Sequence, residues 1–188
     1  MRSRTGRGAV FLDRDGTIIE DVGYLRRPEQ VRLLPGAAGI RRLNEAGLPA
    51  IVVTNQSGIA RGILTADDYQ ASQRRMDQLL EREGTRIDAH YYCPHLPGLT
   101  GPCDCRKPGL LLYRQAAKQF GVDLEASWWV GDRIRDVLPA ESFGARGILV
   151  RTGAGEAEST SEAAQRFRRA ADLQEAVSMI LNDLAPGS

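Results

Sequence analysis

Two patterns of hydrophobic positions alternate along the chain. Short runs rich in apolar, β-branched or aromatic residues predict buried parallel strands. These runs are 9–13, 49–55, 88–92, 127–132 and 146–150. Between them, apolar residues recur at helical spacing, which predicts amphipathic helices. The predicted helices cover 36–47, 65–84, 110–121 and 169–184, and the first residues of the last one could instead form a short edge strand.

Alternating strands and helices predict a doubly wound, Rossmann-like α/β domain with a mainly parallel sheet. We expect a single domain over 9–184, with a disordered tail at 1–8 and a short tail at 185–188. The stretches between the first three strands are already filled by predicted elements, which leaves no room for a cap domain. The polar run 152–164 is predicted to be a surface loop.

Composition narrows the range of partners. The 188 residues carry a formal net charge of +1, so charge gives no reason to expect a nucleic acid or an anionic membrane as a partner. The apolar run after the arginine-rich start is too short for a signal peptide, and no later stretch could span a bilayer. We therefore expect a cytoplasmic monomer that acts on a small molecule.

The predicted strands share a chemical feature, because several of them end in carboxylates or other polar residues. The carboxyl ends of parallel strands border one crevice, so these side chains are expected to converge there. The set is Asp13, Asp15, Thr54, Asn55, Ser57, Lys107, Asp132 and Asp136. Four carboxylates in one cleft repel one another unless a cation binds them. Oxygen ligands beside a phosphate favour Mg²⁺ over zinc, which predicts a magnesium site.

Two interpretations remain open for Asp136. It can be the N-cap of a helix whose first turn contains Pro139, where a missing N–H costs least. It can also position the water shell of the metal. Thr65, by contrast, has Asp68 three residues later, and this spacing predicts a capping box at the start of the helix over 65–84.

A second metal site is predicted in the loop 93–105, which holds every cysteine of the chain and one of its two histidines. Three cysteines cannot pair fully within one chain, and clustered Cys and His in a reducing compartment more often bind a metal. The predicted ligands are Cys93, His95, Cys103 and Cys105. Four protein ligands fill a zinc tetrahedron and leave no position for water, so this zinc is predicted to be structural.

Four short motifs follow the predicted strand ends in a definite order. They are DRDGT at 13–17, VTNQ at 53–56, RKP at 106–108 and GDRIRD at 131–136. Together they resemble the haloacid dehalogenase (HAD) superfamily of phosphohydrolases. The resemblance implies a HAD fold and Mg²⁺-dependent hydrolysis of a phosphate ester.

The resemblance also implies a role for each motif side chain. Asp13 is expected to attack phosphorus and form an aspartyl phosphate. Asp15 is expected to protonate the leaving oxygen and then to activate water. The Asp13 side chain, the Asp15 backbone carbonyl and Asp132 are the expected Mg²⁺ ligands. Thr54 and Lys107 are expected to hold the phosphoryl group and to neutralise its charge.

Loops beside the crevice resemble one family within this superfamily more specifically. The resemblance covers residues 9 to about 153. The stretches DVGY at 21–24, VTNQSGIARG at 53–62 and YYCPH with CDCRKP resemble the D-glycero-D-manno-heptose 1,7-bisphosphate 7-phosphatases, a family of that superfamily. This implies that a sugar bisphosphate loses its 7-phosphate. The substrate-binding residues that it implies are Asp21, Val22, Gly23, Tyr24, Asn55, Gln56, Ser57, Arg106 and Arg133.

Two alternatives remain. Histidinol-phosphate phosphatases share the fold, the CPHLP stretch and the cysteine pattern, but the loop NQSGIARG at 55–62 resembles the heptose enzymes. A non-catalytic, zinc-stabilised binding module is the other alternative. The intact motif residues Asp13, Asp15, Lys107 and Asp132 argue against it.

Overall fold

The computed structural model describes residues 6–185, whose six strands form one parallel sheet. The strands are β1 (Val10–Leu12), β2 (Ala50–Asn55), β3 (Ala89–Cys93), β4 (Trp128–Gly131), β5 (Arg146–Val150) and β6 (Arg168–Ala170). Their order is β3-β2-β1-β4-β5-β6, so the chain winds outward in both directions from β1. The switch point between β1 and β4 is where such sheets bind ligands. The predicted doubly wound parallel fold is confirmed, including the edge strand near the carboxyl end.

Nine α-helical segments lie within the described range. They are α1 (Ile40–Glu45), α2 (Ser57–Ala60), α3 (Ala66–Arg82), α4 (Pro97–Thr100), α5 (Leu111–Phe120), α6 (Ile134–Val137), α7 (Pro139–Ser142), α8 (Gly155–Glu158) and α9 (Leu173–Leu184). Three 3-10 segments, Pro28–Gln30, Pro35–Gly39 and Glu162–Arg166, complete the set. None of the helices in this range is both long enough and apolar enough to cross a bilayer.

The core lies on both faces of the sheet, because successive strand residues point to opposite sides. Val10 and Leu12 pack with residues of α1, α3 and α9, whereas Phe11 packs with residues of α5. Trp128 and Trp129 divide in the same way and are almost fully buried. This two-sided burial explains why the strands appear in the sequence as continuous apolar runs.

Helix boundaries match the predictions where local signals set them. Thr65 caps α3, and its side chain accepts a hydrogen bond from the Asp68 amide, as the capping box predicts. The predicted helix over 36–47 is wrong in its first half, which forms the 3-10 segment Pro35–Gly39. A Cβ on Gly39 would lie 2.9 Å from the Gln174 Cα, so this segment packs directly on the backbone of α9.

Two other boundaries also differ from the predictions. The run 152–164 is not a simple surface loop, since it contains α8 and the start of a 3-10 segment. Residues 186–188 of the predicted carboxyl-terminal tail and residues 1–5 of the predicted amino-terminal tail lie outside the described residues. The next residues belong to the folded domain, because the Arg7 carbonyl accepts a hydrogen bond from the Asp123 amide and Gly8 is buried against Ala126.

Candidate active site

A polar cavity of about 280 Å³ lies at the carboxyl ends of β1, β2 and β4. It is lined by Asp13, Asp15, Asp21, Gly23, Tyr24, Thr54, Asn55, Gln56, Ser57, Gly58, Lys107, Arg133 and Arg135. The four sequence motifs therefore meet where the parallel sheet predicts them to meet. Val22 is exposed outside the cavity, and the Arg106 guanidinium donates a hydrogen bond to the His95 carbonyl instead.

Buried charges form the floor of this cavity. Carboxylate oxygens of Asp13, Asp132 and Asp136 lie within 4.8 Å of one another, and all three residues are buried. The Lys107 ammonium lies 2.5 Å from an Asp13 oxygen and 2.8 Å from an Asp136 oxygen. It also donates a hydrogen bond to the Val53 carbonyl. One ammonium thus balances part of the charge of three carboxylates.

Burial and mutual repulsion shift the protonation of this cluster. Burial, followed by the Asp136 charge, raises the pKa of Asp13 to about 8 despite the opposing Lys107 ammonium. Burial also raises the pKa of Asp132 to about 6. Burial by itself lowers the pKa of Lys107, but the Asp13 and Asp136 carboxylates outweigh it and raise that pKa above its ordinary value. The site therefore combines a cationic lysine with carboxyls that hold protons unusually well until a cation replaces them.

The carboxylates fit a hard divalent cation. Asp132 accepts a hydrogen bond from the Ala154 amide at Oδ2, but no residue in the range 6–185 donates one to its buried Oδ1. A buried carboxylate oxygen without a donor is costly unless a cation binds it. An oxygen-only donor set of this charge suits Mg²⁺.

The predicted N-cap role of Asp136 is wrong. Arg133 is the N-cap of α6, and Asp136 occupies the third helical position, where its carboxylate accepts a hydrogen bond from the Arg133 amide. Pro139 opens the separate helix α7. This first turn of α6 also places Asp136 beside Lys107. The same carboxylate therefore bonds the N-cap residue and belongs to the charged cluster.

Asp15 lies beside Asp13 in the cavity and is held by two side chains. The Arg14 guanidinium bonds both carboxylate oxygens, with Nε 3.0 Å from Oδ2 and Nη2 2.8 Å from Oδ1. The Gln56 amide donates hydrogen bonds to Asp15 Oδ2 and to Thr54 Oγ1, each at 2.9 Å. Gln56, predicted to contact substrate, thus also links the end of β2 to the turn after β1.

Asn55 joins the end of β2 to the loop that carries the lysine. Its side-chain oxygen accepts a hydrogen bond from the Lys107 amide at 3.0 Å, and its Nδ2 donates one to the Lys107 carbonyl at 3.3 Å. On the opposite rim, Arg133 forms an ion pair with Asp21 at 3.2 Å. This pair connects the start of α6 to the loop after β1.

Several residues that line or support the site were missed by sequence reasoning. Arg14 and Arg135 lie inside the recognised motifs but carry no motif role, whereas Gly58 follows the β2 motif. Thr152 and Ala154 lie after β5, and only the folding of the chain brings them to the site. The Thr152 hydroxyl donates a hydrogen bond to the Gly16 carbonyl, and the Ala154 amide bonds Asp132. No local sequence signal indicates contacts of this range.

The four predicted zinc ligands come together beside β3. Ligand atoms of Cys93, His95, Cys103 and Cys105 lie within 4.8 Å of one another. The Cys93 Sγ is 3.8 Å from the Cys103 Sγ and 3.0 Å from the Cys105 Sγ, too far apart for a disulfide bond of about 2.05 Å. Three unbridged thiols and one imidazole match a tetrahedral zinc set.

His90, the other histidine of the chain, lies apart from the cysteine and histidine cluster. Its Nε2 is 3.0 Å from an Asp77 oxygen on α3. The cluster therefore draws on the loop 93–105 alone.

The chain resembles known proteins over nearly its whole length. The profile of the HAD-hydrolase-like family matches residues 104–176. The D-glycero-beta-D-manno-heptose-1,7-bisphosphate 7-phosphatase of Haemophilus ducreyi is 41% identical over 155 residues, covering 79% of this chain and 85% of that protein. The D-glycero-D-manno-heptose-1,7-bisphosphate 7-phosphatase of Thermosynechococcus vestitus is 39% identical, covering 96% of this chain and 98% of that protein.

Solved structures agree with the sequence matches. The D,D-heptose 1,7-bisphosphate phosphatase of B. bronchiseptica, crystallised with magnesium and phosphate, superposes with a TM-score of 0.85 at 33% identity. The match covers 94% of this chain and 99% of that structure. The sheet order, the four motifs at the strand ends and these relatives lead to one conclusion: the chain belongs to the D-glycero-D-manno-heptose 1,7-bisphosphate 7-phosphatase family of HAD-like hydrolases.

Proposed function

We propose that this protein is a Mg²⁺-dependent phosphatase that removes the 7-phosphate of D-glycero-D-manno-heptose 1,7-bisphosphate and leaves heptose 1-phosphate. One observation carries the proposal: the Asp13 carboxylate lies in the cavity, paired with Lys107 and grouped with Asp132 and Asp136. That arrangement suits a nucleophile which must approach an anionic phosphate. The relatives named above are phosphatases of this substrate, which supports the same choice.

In the first step an Asp13 oxygen attacks phosphorus and forms a new P–O bond, while the bond from phosphorus to the C7 oxygen breaks. The Asp15 carboxyl gives its proton to that departing oxygen. In the second step Asp15 takes a proton from water, the water oxygen attacks phosphorus, and the Asp13 acyl phosphate is hydrolysed. Both carboxyls return to their starting protonation states, as a catalytic cycle requires.

The phosphoryl group needs positive charge and hydrogen-bond donors during transfer. Lys107 supplies the positive charge from a buried position. The Thr54 hydroxyl, at the end of β2 next to β1, supplies a hydrogen-bond donor. Asn55 fixes the backbone of Lys107 through two hydrogen bonds. The ammonium therefore stays beside the Asp13 carboxylate, where it can offset the negative charge of the phosphoryl group that Asp13 attacks.

Asp13, Asp132 and the Asp15 carbonyl would hold Mg²⁺, with Asp136 beside them. Bound Mg²⁺ would supply a Lewis acid that offsets the repulsion between the Asp13 carboxylate and the phosphate. The Oδ1 of Asp132, to which none of the described residues donates a hydrogen bond, supports this assignment.

The Cys and His cluster would hold structural zinc. Cys105 directly precedes Arg106 and Lys107, so a metal bound there would fix the loop that carries the catalytic ammonium. Three thiolates kept without a disulfide fit a reducing compartment such as the cytoplasm.

The second phosphate of the substrate needs cations at the mouth of the cavity. Arg133 and Arg135 line this region, and the Arg133 guanidinium already binds the Asp21 carboxylate, so it can bind an anionic group. Asp21 can in turn accept hydrogen bonds from sugar hydroxyls.

The test compares two substrates with purified protein, zinc and Mg²⁺. We expect kcat/KM for the heptose 1,7-bisphosphate to exceed that for histidinol phosphate by at least about a hundredfold, since histidinol phosphate offers no second phosphate to Arg133 and Arg135. Phosphorus NMR of the product should show retention of the 1-phosphate. Faster turnover of histidinol phosphate would overturn the substrate assignment, and inactivity on every phosphate ester would favour a binding module.

A further inference from the structure

Arg14 lies between the two catalytic aspartates in the sequence, yet it does not line the cavity formed by the described residues. Its side chain is buried, with only 2% of its surface exposed. Removing a guanidinium from water is expensive unless its donors are satisfied by a charged partner. A charged partner beside the reacting groups must therefore stabilise the buried Arg14 guanidinium.

The environment of Arg14 directs its hydrogen bonds toward one carboxylate. The guanidinium lies 5.1 Å from the centre of the Tyr69 ring, and this ring packs against Tyr92 at 4.3 Å. Tyr69 comes from α3 and Tyr92 from β3, so two rigid elements hold the aromatic pair. The planar cation packs near the ring on one side and offers its fork to Asp15 on another.

The hydrogen bonds distinguish the two oxygens of Asp15. Oδ2 accepts from Arg14 Nε and from Gln56 Nε2, whereas Oδ1 accepts from Arg14 Nη2. A carboxylate oxygen has two lone-pair positions. Oδ2 is filled by these two donors, and Oδ1 keeps one position for a proton.

We propose that Arg14 is a positioning residue that, together with Gln56, aims the proton-carrying Oδ1 of Asp15 at the oxygen of the departing sugar. The proposal rests on the proposed function, because it concerns how that reaction protonates its leaving group. Arg14 touches neither substrate nor metal in this account. It acts by fixing the orientation of Asp15 so that the O–H bond breaks as the bond between phosphorus and the sugar oxygen breaks.

A simpler role for Arg14 would be to offset the negative charge of Asp13, Asp132 and Asp136. The two roles predict different dependence on the leaving group. A loss of general acid catalysis slows only substrates whose leaving oxygen needs a proton. A weakened charge balance or a loosened metal site slows phosphoryl transfer from every substrate.

The experiment compares kcat/KM for the heptose bisphosphate and for p-nitrophenyl phosphate, whose leaving group departs as an anion. This parameter covers only the steps up to departure of the leaving group, so later hydrolysis of the acyl phosphate does not affect it. The variants are Arg14→Lys, which keeps the charge but loses the fork, and Arg14→Gln, which loses both. Arg74→Gln, at an exposed position on α3, is the matched control.

We expect kcat/KM for the bisphosphate to fall about tenfold in Arg14→Lys and about a hundredfold in Arg14→Gln, because misplacing one catalytic group has effects of this size. The value for p-nitrophenyl phosphate should fall less than about threefold in the lysine variant, whose charge is intact. In both variants, KM for the bisphosphate should change much less than kcat. The ratio of the two substrates is measured on one preparation, so partial unfolding cancels.

Equal losses on both substrates would overturn the positioning role and favour charge balance, and unchanged activity on both would overturn any role. Failure of the proposed function is recognised separately, because the wild-type protein would then not hydrolyse the bisphosphate. A soluble Arg14→Lys protein with wild-type circular dichroism keeps the test valid if Arg14→Gln does not fold.

Discussion

Individual charged residues of the site are stable only together. Lys107 is buried between Asp13 and Asp136, and removal of either type of charge leaves the other without its partner. Breaking a buried ion pair from one side is strongly destabilising, whereas a neutral amide in place of one of several carboxylates relieves repulsion. This difference separates variants that test chemistry from variants that damage the fold.

Asp13→Asn tests the nucleophile with little effect on the fold. The amide keeps the shape of the carboxylate but cannot form an acyl phosphate, so we expect kcat to fall by at least about a thousandfold. Lys107 keeps Asp136 as its partner, and the melting temperature should therefore stay close to that of the wild type. Steady-state kinetics and a thermal melt provide both values. A variant that retains activity would remove Asp13 from this role.

The raised pKa of Asp13, about 8 in the folded protein against 3.8 in the unfolded chain, predicts how stability depends on pH. Between these values the folded state binds more protons than the unfolded state, so stability without metal falls as pH rises. We expect the metal-free melting temperature to drop by at least about 3 °C between pH 5 and pH 8. Added Mg²⁺ should raise it more at pH 8, where protons compete less for the carboxylates.

Asp13→Asn is the control for this pH dependence. The amide does not titrate, so its melting temperature should vary less with pH than that of the wild type. Equal slopes for the two proteins would mean that another group causes the effect.

Among the elements around the cavity, the loop after β5 contacts the proposed Mg²⁺ site although it lies far from β1 in the sequence. Gly153 has φ +56°, and a Cβ there would lie 2.3 Å from Asp132 Oδ2 and 2.6 Å from the Gly16 Cα. The close approach lets the neighbouring Ala154 amide bond Asp132. The loop therefore positions Asp132, the proposed Mg²⁺ ligand at the end of β4.

Gly153→Ala should push Asp132 out of place. We expect the Mg²⁺ concentration for half-maximal activity to rise about tenfold or more, as for other losses of support to a metal ligand. Gly121→Ala is the matched control, because its φ is +63° and nothing lies within 4 Å of its added Cβ. Both variants bear the strain of the left-handed backbone, about 1–2 kcal/mol, but only the first should alter the response to Mg²⁺. Equal responses would contradict the supporting role of Gly153.

The cysteine loop makes a second prediction at this scale. Removal of the proposed zinc by a chelator, followed by return of Mg²⁺ alone, should raise KM and lower kcat together by about tenfold or more, because Lys107 lies two residues after Cys105. Zinc content and kinetics are measured on the same sample, and added zinc should restore activity. Full activity in zinc-free protein would limit this metal to stability.

Most of the fold of the molecule could be predicted from the sequence. Its parallel strands are buried on both faces and are therefore visible as apolar runs. The four motifs follow from the same order, since parallel strands bring their carboxyl ends to one edge. Contacts between distant segments could not be predicted. Thr152 and Ala154 reach the site only because the fold packs the loop after β5 against it. The N-cap of α6 was also mispredicted, because the helix begins after Arg133 and Asp136 lies in its first turn.

The proposed mechanism requires that the phosphate removed from the sugar first becomes bonded to the Asp13 carboxylate at the end of β1. The most direct measurement uses the heptose bisphosphate labelled in its 7-phosphate. The reaction is quenched in acid during turnover, the acyl phosphate is reduced with borohydride, and the peptides are analysed by mass spectrometry. We predict that the label is bound to protein before reduction and that homoserine replaces Asp13 afterwards, with neither signal in Asp13→Asn. Reduction at another carboxyl, or turnover without any protein-bound label, would contradict the account.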